Sequence, residues 1–343
     1  LGIQTSLVID LKQSDIIFQY INLKNRINWA TELYSFSYPS RMYYDYLKDE
    51  EFYDLNRDIH LGFSLQNPFS KFSRMEFGVS NNYLERKEER KKLSNGDEYS
   101  ILKDSYNIID YHFKYVWDNT RQLSGNRTYI EYLEAPNLTN NDFAYSKISL
   151  DSRQYYRVSF KNQTILATRF FLGSSFGKDA RIFAIGGSDY NTFFHGDTDL
   201  LNPTYRENVM NGTEYNYLTM NNFQYPIRGY NIGQKYGSKA MLLNLELRLP
   251  FLIYYFPAIK YIGQLFGVFF IDAGVAWNDT YPEFSNQDSW DLSDKEGWIM
   301  SYGFGPRFYF LGMPWKLDYA WQYNPYKGTT SSRHWYLSVG FDF

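Results

Sequence analysis

Residues 223–251 read FQYPIRGYNIGQKYGSKAMLLNLELRLPF, and their pattern decides the fold. The segment opens with Arg228-Gly229-Tyr230, passes through a glycine-spaced stretch and then alternates strictly. Leu243, Leu245, Leu247 and Leu249 fall on one face of a strand, and Asn244, Glu246 and Arg248 fall on the other. Successive side chains of a strand point to opposite faces, so this period of two sets an all-leucine face against a charged one. Lipid on one side and a watery interior on the other select that arrangement in a membrane barrel.

Four segments further along repeat the pattern. Residues 266–277 put Phe269, Ile271, Ala273, Val275 and Trp277 outward, with Val268, Phe270, Asp272, Gly274 and Ala276 inward. Residues 299–310 put Met300, Tyr302, Phe304, Phe308 and Phe310 outward, with Ser301, Gly303, Gly305, Arg307 and Tyr309 inward. Residues 315–323 alternate Trp315, Leu317, Tyr319, Trp321 and Tyr323 with Lys316, Asp318, Ala320 and Gln322. Residues 335–343 carry Trp335, Leu337, Val339, Phe341 and Phe343 outward. Each run has about 9–12 residues, the length a tilted strand needs to cross the hydrocarbon.

Towards the N-terminus, alternation and aromatic enrichment predict strands at 2–10, 15–23, 26–38, 58–66, 74–83, 106–117, 127–134, 144–158 and 164–172. Turns are expected at Asn95-Gly96, Gly125-Asn126 and residues 161–163. The tyrosine-rich, charged residues 40–56 read as a loop. ERKEERKK at 85–92 reads either as an exposed helix or as a charged extension of a strand. Residues 173–238 are long, glycine-rich and weakly periodic. Such a loop argues against a compact soluble domain and suits an extracellular or lumen-folded loop of a barrel. The reading is an all-β, antiparallel transmembrane barrel of about 14 strands over 1–343, an even number as single-chain barrels have.

Composition agrees. The 343 residues include 34 tyrosines, 28 phenylalanines and eight tryptophans, so aromatics are 20% of the chain. Two interfacial aromatic girdles use such rings; a soluble β-sandwich, the competing fold, has less need of them. The longest apolar run, 251–259, is broken by Pro257, too short for a spanning helix. Net charge is −3, which marks no nucleic-acid partner, and there is no cysteine for disulfides or thiolate metal sites. The chain begins at Leu1 without a leader, so a mature or trimmed piece with an upstream periplasmic domain missing is expected.

Several motifs together resemble one superfamily, the BamA-type outer-membrane protein-assembly and polypeptide-transport barrels, also called the bacterial surface antigen family. They are Gly186-Gly187, Ile227-Arg228-Gly229-Tyr230, Glu246 with Pro250, Phe270-Ile271-Asp272-Ala273-Gly274 and the terminal aromatic Phe343. The resemblance covers residues 180–343. It implies a barrel of about 16 strands in the bacterial outer membrane, the even-numbered architecture of such proteins. It also implies membrane insertion or transport of polypeptides through a lateral seam between first and last strands. Client outer-membrane polypeptides, the lipid bilayer and accessory lipoproteins would be its partners, and Phe341 and Phe343 an assembly signal. No cofactor, metal or catalytic residue is implied.

An arginine inside a barrel needs acidic partners to offset its lost hydration. Inward parity puts Glu246 and Asp272 on neighbouring strands, and the planar fork of Arg228 suits a carboxylate. Arg228 is therefore expected to pair with Asp272, Glu246 or both, as the resemblance also implies, with Gly229 allowing a tight tip. Two other functions compete: a passive channel lined by Lys316, Asp318, Arg307, Asp272 and Glu246, and an anchor for a soluble domain. Enzyme signals are weak. Gly173-Ser174-Ser175-Phe176-Gly177 matches a G-x-S-x-G string but no helix follows it. His60, His112, His195 and His334 have no metal-ligand spacing, and Asp197-x-Asp199 lacks the rest of a calcium loop.

Overall fold

The computed structural model describes residues 2–6, 15–45, 50–92, 98–121, 124–159, 164–187, 192–195, 225–231, 233–250, 266–310 and 313–339. Asn95-Gly96, residues 161–163 and 251–259, the Asp197-x-Asp199 pair and the terminal Phe341 and Phe343 lie outside them. Seventeen strands are described: β1 Gly2–Ser6, β2 Asp15–Asn22, β3 Asn28–Asp45, β4 Glu50–Pro68, β5 Ser73–Lys92, β6 Glu98–Asp118, β7 Gly125–Ala135, β8 Tyr145–Ser159, β9 Thr164–Phe176, β10 Phe183–Ile185, β11 Thr192–His195, β12 Lys235–Gly237, β13 Lys239–Leu249, β14 Phe266–Trp277, β15 Gly297–Phe310, β16 Met313–Asn324 and β17 Gly328–Val339. Hydrogen-bonded order runs β1 to β9, then β13 to β17, and ends on β11, fifteen strands in all; β10 and β12 form a separate ribbon. The strand beyond the 14 read from sequence is β11, a four-residue piece of the long connection. No described helix is long and apolar enough to cross a membrane, a criterion that says nothing of strands.

Two compact units are distinguished. The first comprises Leu1–Val116, Glu131–Ser146 and Gly177–Asp179. Here β3 and β4 pair from Asn28↔Gln66 out to Asp45↔Glu50, so residues 40–45 and 50–56 extend two strands where a loop was expected, and 46–49 lie outside the described residues. Pro39 adjoins the one irregularity of that ladder, where a residue without an N–H is tolerated. Residues 85–92 continue β5, with Arg57↔Glu85, Leu55↔Lys87, Glu51↔Lys91 and Glu50↔Lys92 opposite one another. Further charge pairs join β5 to β6, Arg86 to Asp104 at 2.9 Å and Lys103 to Glu88 at 3.1 Å. Opposite charges across a ladder outweigh the local helix propensity of ERKEERKK. The less exposed face holds a polar chain: Ser80 and Asn82 donate to Asp110 at 2.6 and 3.0 Å, and His60 Nδ1 meets Asn82 Oδ1 at 2.7 Å.

The second unit comprises Trp117–Ile130, Lys147–Phe176 and Ala180–Phe343. In it β13 pairs with β9, from Lys239↔Ser174 to Arg248↔Ile165, and with β14 along its whole length. The strands alternate between buried and exposed residues in step with the sequence. Phe269 is 57% exposed whereas Asp272 is 0% exposed. Leu243, Leu247, Ile271, Tyr302 and Phe304 share the exposed face; Arg169, Asn244, Glu246, Ser301 and Asp318 are buried. This inverts the distribution of a soluble protein, and it rules out a sandwich whose inner faces are apolar. Two outward positions, Val275 and Trp298, depart from the rule. Val275 is fully buried because the β14–β15 connection folds over it.

Candidate functional site

The site is assembled on the buried face of β13 to β17 by described residues of the long β9–β13 connection. Gly186 and Gly187 have φ of +119° and +80°, backbone that a side chain would strain. Their turn lets Ile185 bridge Tyr225 and Gly187 bridge Ile227. Phe183, Ile185, Tyr225, Ile227 and Tyr230 then pack with Phe171, Leu242 and Ile299 in one apolar cluster. Gly274 lies beneath this cluster, and a Cβ there would overlap Ile227. Glycine at 274 is thus a vacancy on the strand that the loop fills.

Arg228 follows directly. Its Nε and Nη2 donate to the two oxygens of Asp272 at 2.7 and 2.8 Å, and its backbone N–H adds a third bond at 3.2 Å. Nη1 donates to Glu246 at 2.8 Å and lies 3.6 Å from Asp318. The guanidinium carbon sits 3.5 Å from the centre of the Phe270 ring, a stacking that suits a planar, weakly hydrated cation. Two further arginines complete the charge balance. Arg307 pairs with Asp318 at 2.7 Å, and Arg248 pairs with Glu246 at 2.9 Å. Three cations thus interleave with three anions, and Asn244 adds a donor to Asp272 at 2.9 Å.

The tip is held as closely as the side chain. Gly229, at φ +92°, donates its N–H to the Tyr336 hydroxyl at 2.9 Å and accepts from Gln322 at 2.8 Å. The Tyr230 hydroxyl donates to the carbonyl of Met300 at 2.8 Å. One short segment therefore touches β14, β15, β16 and β17 as well as β13. Asn244, Phe270, Asp318, Gln322 and Tyr336 were not singled out as its partners in the sequence, although inward parity was a usable signal for each.

The backbone N–H and all three guanidinium nitrogens of Arg228 donate to carboxylates of the wall. Among the described residues no group of three or more His, Asp or Glu side chains could hold a metal ion. Ser175 of the G-x-S-x-G string lies buried on β9, where its Oγ accepts from the N–H of Arg181 at 2.7 Å.

The Omp85 superfamily domain matches residues 19–343. The chain belongs to the Omp85 superfamily. Membership agrees with the outer-membrane β-barrel architecture that the antiparallel, two-faced strands describe. No curated protein matches the sequence. Two solved Omp85-like structures share the fold. One is BamA from Haemophilus ducreyi lacking POTRA domains 1–3, with a TM-score of 0.59 at 13% identity over 95% of this chain and 62% of that one. The other is CdiB from Acinetobacter baumannii, with 0.56 at 10% identity over 96% and 50%. The chain therefore spans less than two-thirds of either.

Proposed function

We propose that this chain is the barrel of an outer-membrane machine that inserts or transports client polypeptides. In this reading the described residues of the β9–β13 connection belong to a loop folded into the lumen, and Arg228 ties that loop to the wall through Asp272 and Glu246. The observation that carries the reading is the pairing of the Arg228 fork with a fully buried Asp272 at 2.7 and 2.8 Å inside an Omp85 domain. The tied loop braces the strands next to the seam between the first and last strands, where clients would pair with an open edge. The antiparallel pairing of β11 with β17, His195↔Tyr336 among its partners, supports an edge of β17 able to accept a strand. Client polypeptides, accessory lipoproteins and an upstream periplasmic domain complete the proposal, and the barrel itself catalyses no reaction.

The test is depletion of the full-length protein with complementation by Arg228→Ala. Loss of other barrels from the outer-membrane proteome is expected, restored by the unaltered protein. An unchanged proteome after depletion overturns the assembly reading. An anchor would instead lose only its attached domain, and a channel would show large, steady conductance in planar bilayers.

A further inference from the structure

The β14–β15 connection, residues 278–296, is fastened on both faces of the sheet. On one face it receives Lys235, which is fully buried. The ammonium has three N–H donors. All three go to backbone carbonyls of this connection: Asp294 and Glu296 at 2.7 Å, and Asp291. The N–H of Tyr236 donates to the carbonyl of Lys295 at 2.8 Å, and Lys239 reaches the carbonyl of Asn278 at 2.6 Å. Asn278 is in turn bonded to the Glu296 carboxylate at 2.6 Å, which closes the base of the connection.

On the outward face the same connection covers the wall. Val275 shares its parity with Ile271, yet Ile271 is 43% exposed and Val275 is 0% exposed. Trp290 provides the cover, stacked on Trp298 with centroids 6.0 Å apart, and Phe284 lies edge-on to both at 5.0 Å. Both indole N–H groups are satisfied within the fold: Trp290 by the carbonyl of Phe284 at 3.0 Å, Trp298 by that of Pro282 at 2.8 Å. The 3-10 turn Gln287–Trp290, capped by Asn286, buries Trp290 against that face. The carbonyls that hold Lys235 therefore belong to a segment pinned from the opposite side.

We propose that Lys235 is a positioning residue for the arginine centre: it fixes the trailing end of the loop to this two-faced clasp, so that Arg228 meets its carboxylates from an anchored chain. Only six residues separate the two cations, and two of them, Gly229 and Gly233, occupy left-handed backbone at φ +92° and +68°. Glycines give up the most conformational freedom on ordering, so a linker built on them loses its geometry unless both ends are held. The proposal concerns how the loop is held and does not rest on what the barrel assembles.

The test uses full-length protein, otherwise free of cysteine, carrying Asn231→Cys between the two anchors. Labelling by a water-soluble maleimide is followed in detergent micelles, with semi-native electrophoresis confirming a folded barrel. Lys235→Met is expected to speed labelling at least tenfold. Arg228→Ala is expected to add less in that background than alone, because both changes release one tether. Trp290→Ala, on the outward face, is expected to speed labelling as well, and it decides the matter if Lys235→Met gives no folded barrel. Unchanged labelling in a folded Lys235→Met or Trp290→Ala protein, or strict additivity with Arg228→Ala, overturns the proposal. None of these readouts involves client assembly, so a failed assembly test leaves them intact.

Discussion

Two buried cations hold the same loop by different means. Arg228 is neutralised by carboxylates, with Asp272 taking its fork and Glu246 its remaining arm. Lys235 is held by three backbone carbonyls, dipoles supplied by one folded connection. The difference lies in what each leaves behind when removed. Breaking a buried ion pair leaves an uncompensated charge, the costliest outcome for a buried group. Removing an ammonium from carbonyls leaves only unsatisfied dipoles. The arginine centre should therefore behave as a unit whose parts cannot be lost singly, and the lysine nest as a graded anchor.

Four substitutions break or sharpen that comparison, each read as the temperature at which the folded, fast-migrating barrel is lost. Asp272→Ala should cost most, about 3–5 kcal/mol, because it strands the guanidinium of Arg228; a loss under about 1 kcal/mol would mean that Glu246 and Asp318 suffice. Arg228→Lys keeps the charge but loses the paired bonds to Asp272, so about 2–3 kcal/mol is expected. If it matches the wild type, charge alone holds the loop and the planar fork is irrelevant. Lys235→Met keeps the length of the side chain and leaves three carbonyls unpaired, for about 1–2 kcal/mol. A larger effect than Arg228→Lys would reverse the ranking of the two anchors. Arg74→Ala should cost least, under about 1 kcal/mol. Its bond to Glu76 is 2.6 Å long, as short as any in the arginine centre, yet the Arg74 side chain is 40% exposed. A substantial loss there would show that distance, and not burial, sets the strength of these pairs.

Asp272 and Phe269 show how far sequence reading goes on a two-faced sheet. Both lie on β14, three positions apart, and odd spacing alone assigns them to opposite faces. Asn244 and Asp272 stand directly opposite each other in the β13–β14 ladder, so parity on two strands also predicts a shared polar face. Parity is silent on depth and on loops. It set several acids and arginines on that face without indicating that Arg228 would take Asp272 with two nitrogens and Glu246 with the third.

Where local preference and the partner strand disagreed, the partner strand won. Residues 85–92 have helix-forming composition, but β4 presents Arg57 to Glu85 and Glu51 to Lys91, and the ladder continues. Residues 40–56 carry loop-like tyrosines and charges, yet Arg41–Asp45 pair with Glu50–Asp54.

Alternation and composition by themselves determined an antiparallel membrane barrel, because a period of two with an apolar face is imposed locally by lipid on every strand. The motifs around Arg228, Glu246 and Asp272 determined the superfamily. Only the tertiary structure decided that Val275 is covered and that Lys235 is anchored. Both depend on where a connection folds, and the carbonyls that bind Lys235 are present in every residue and leave no mark in the sequence.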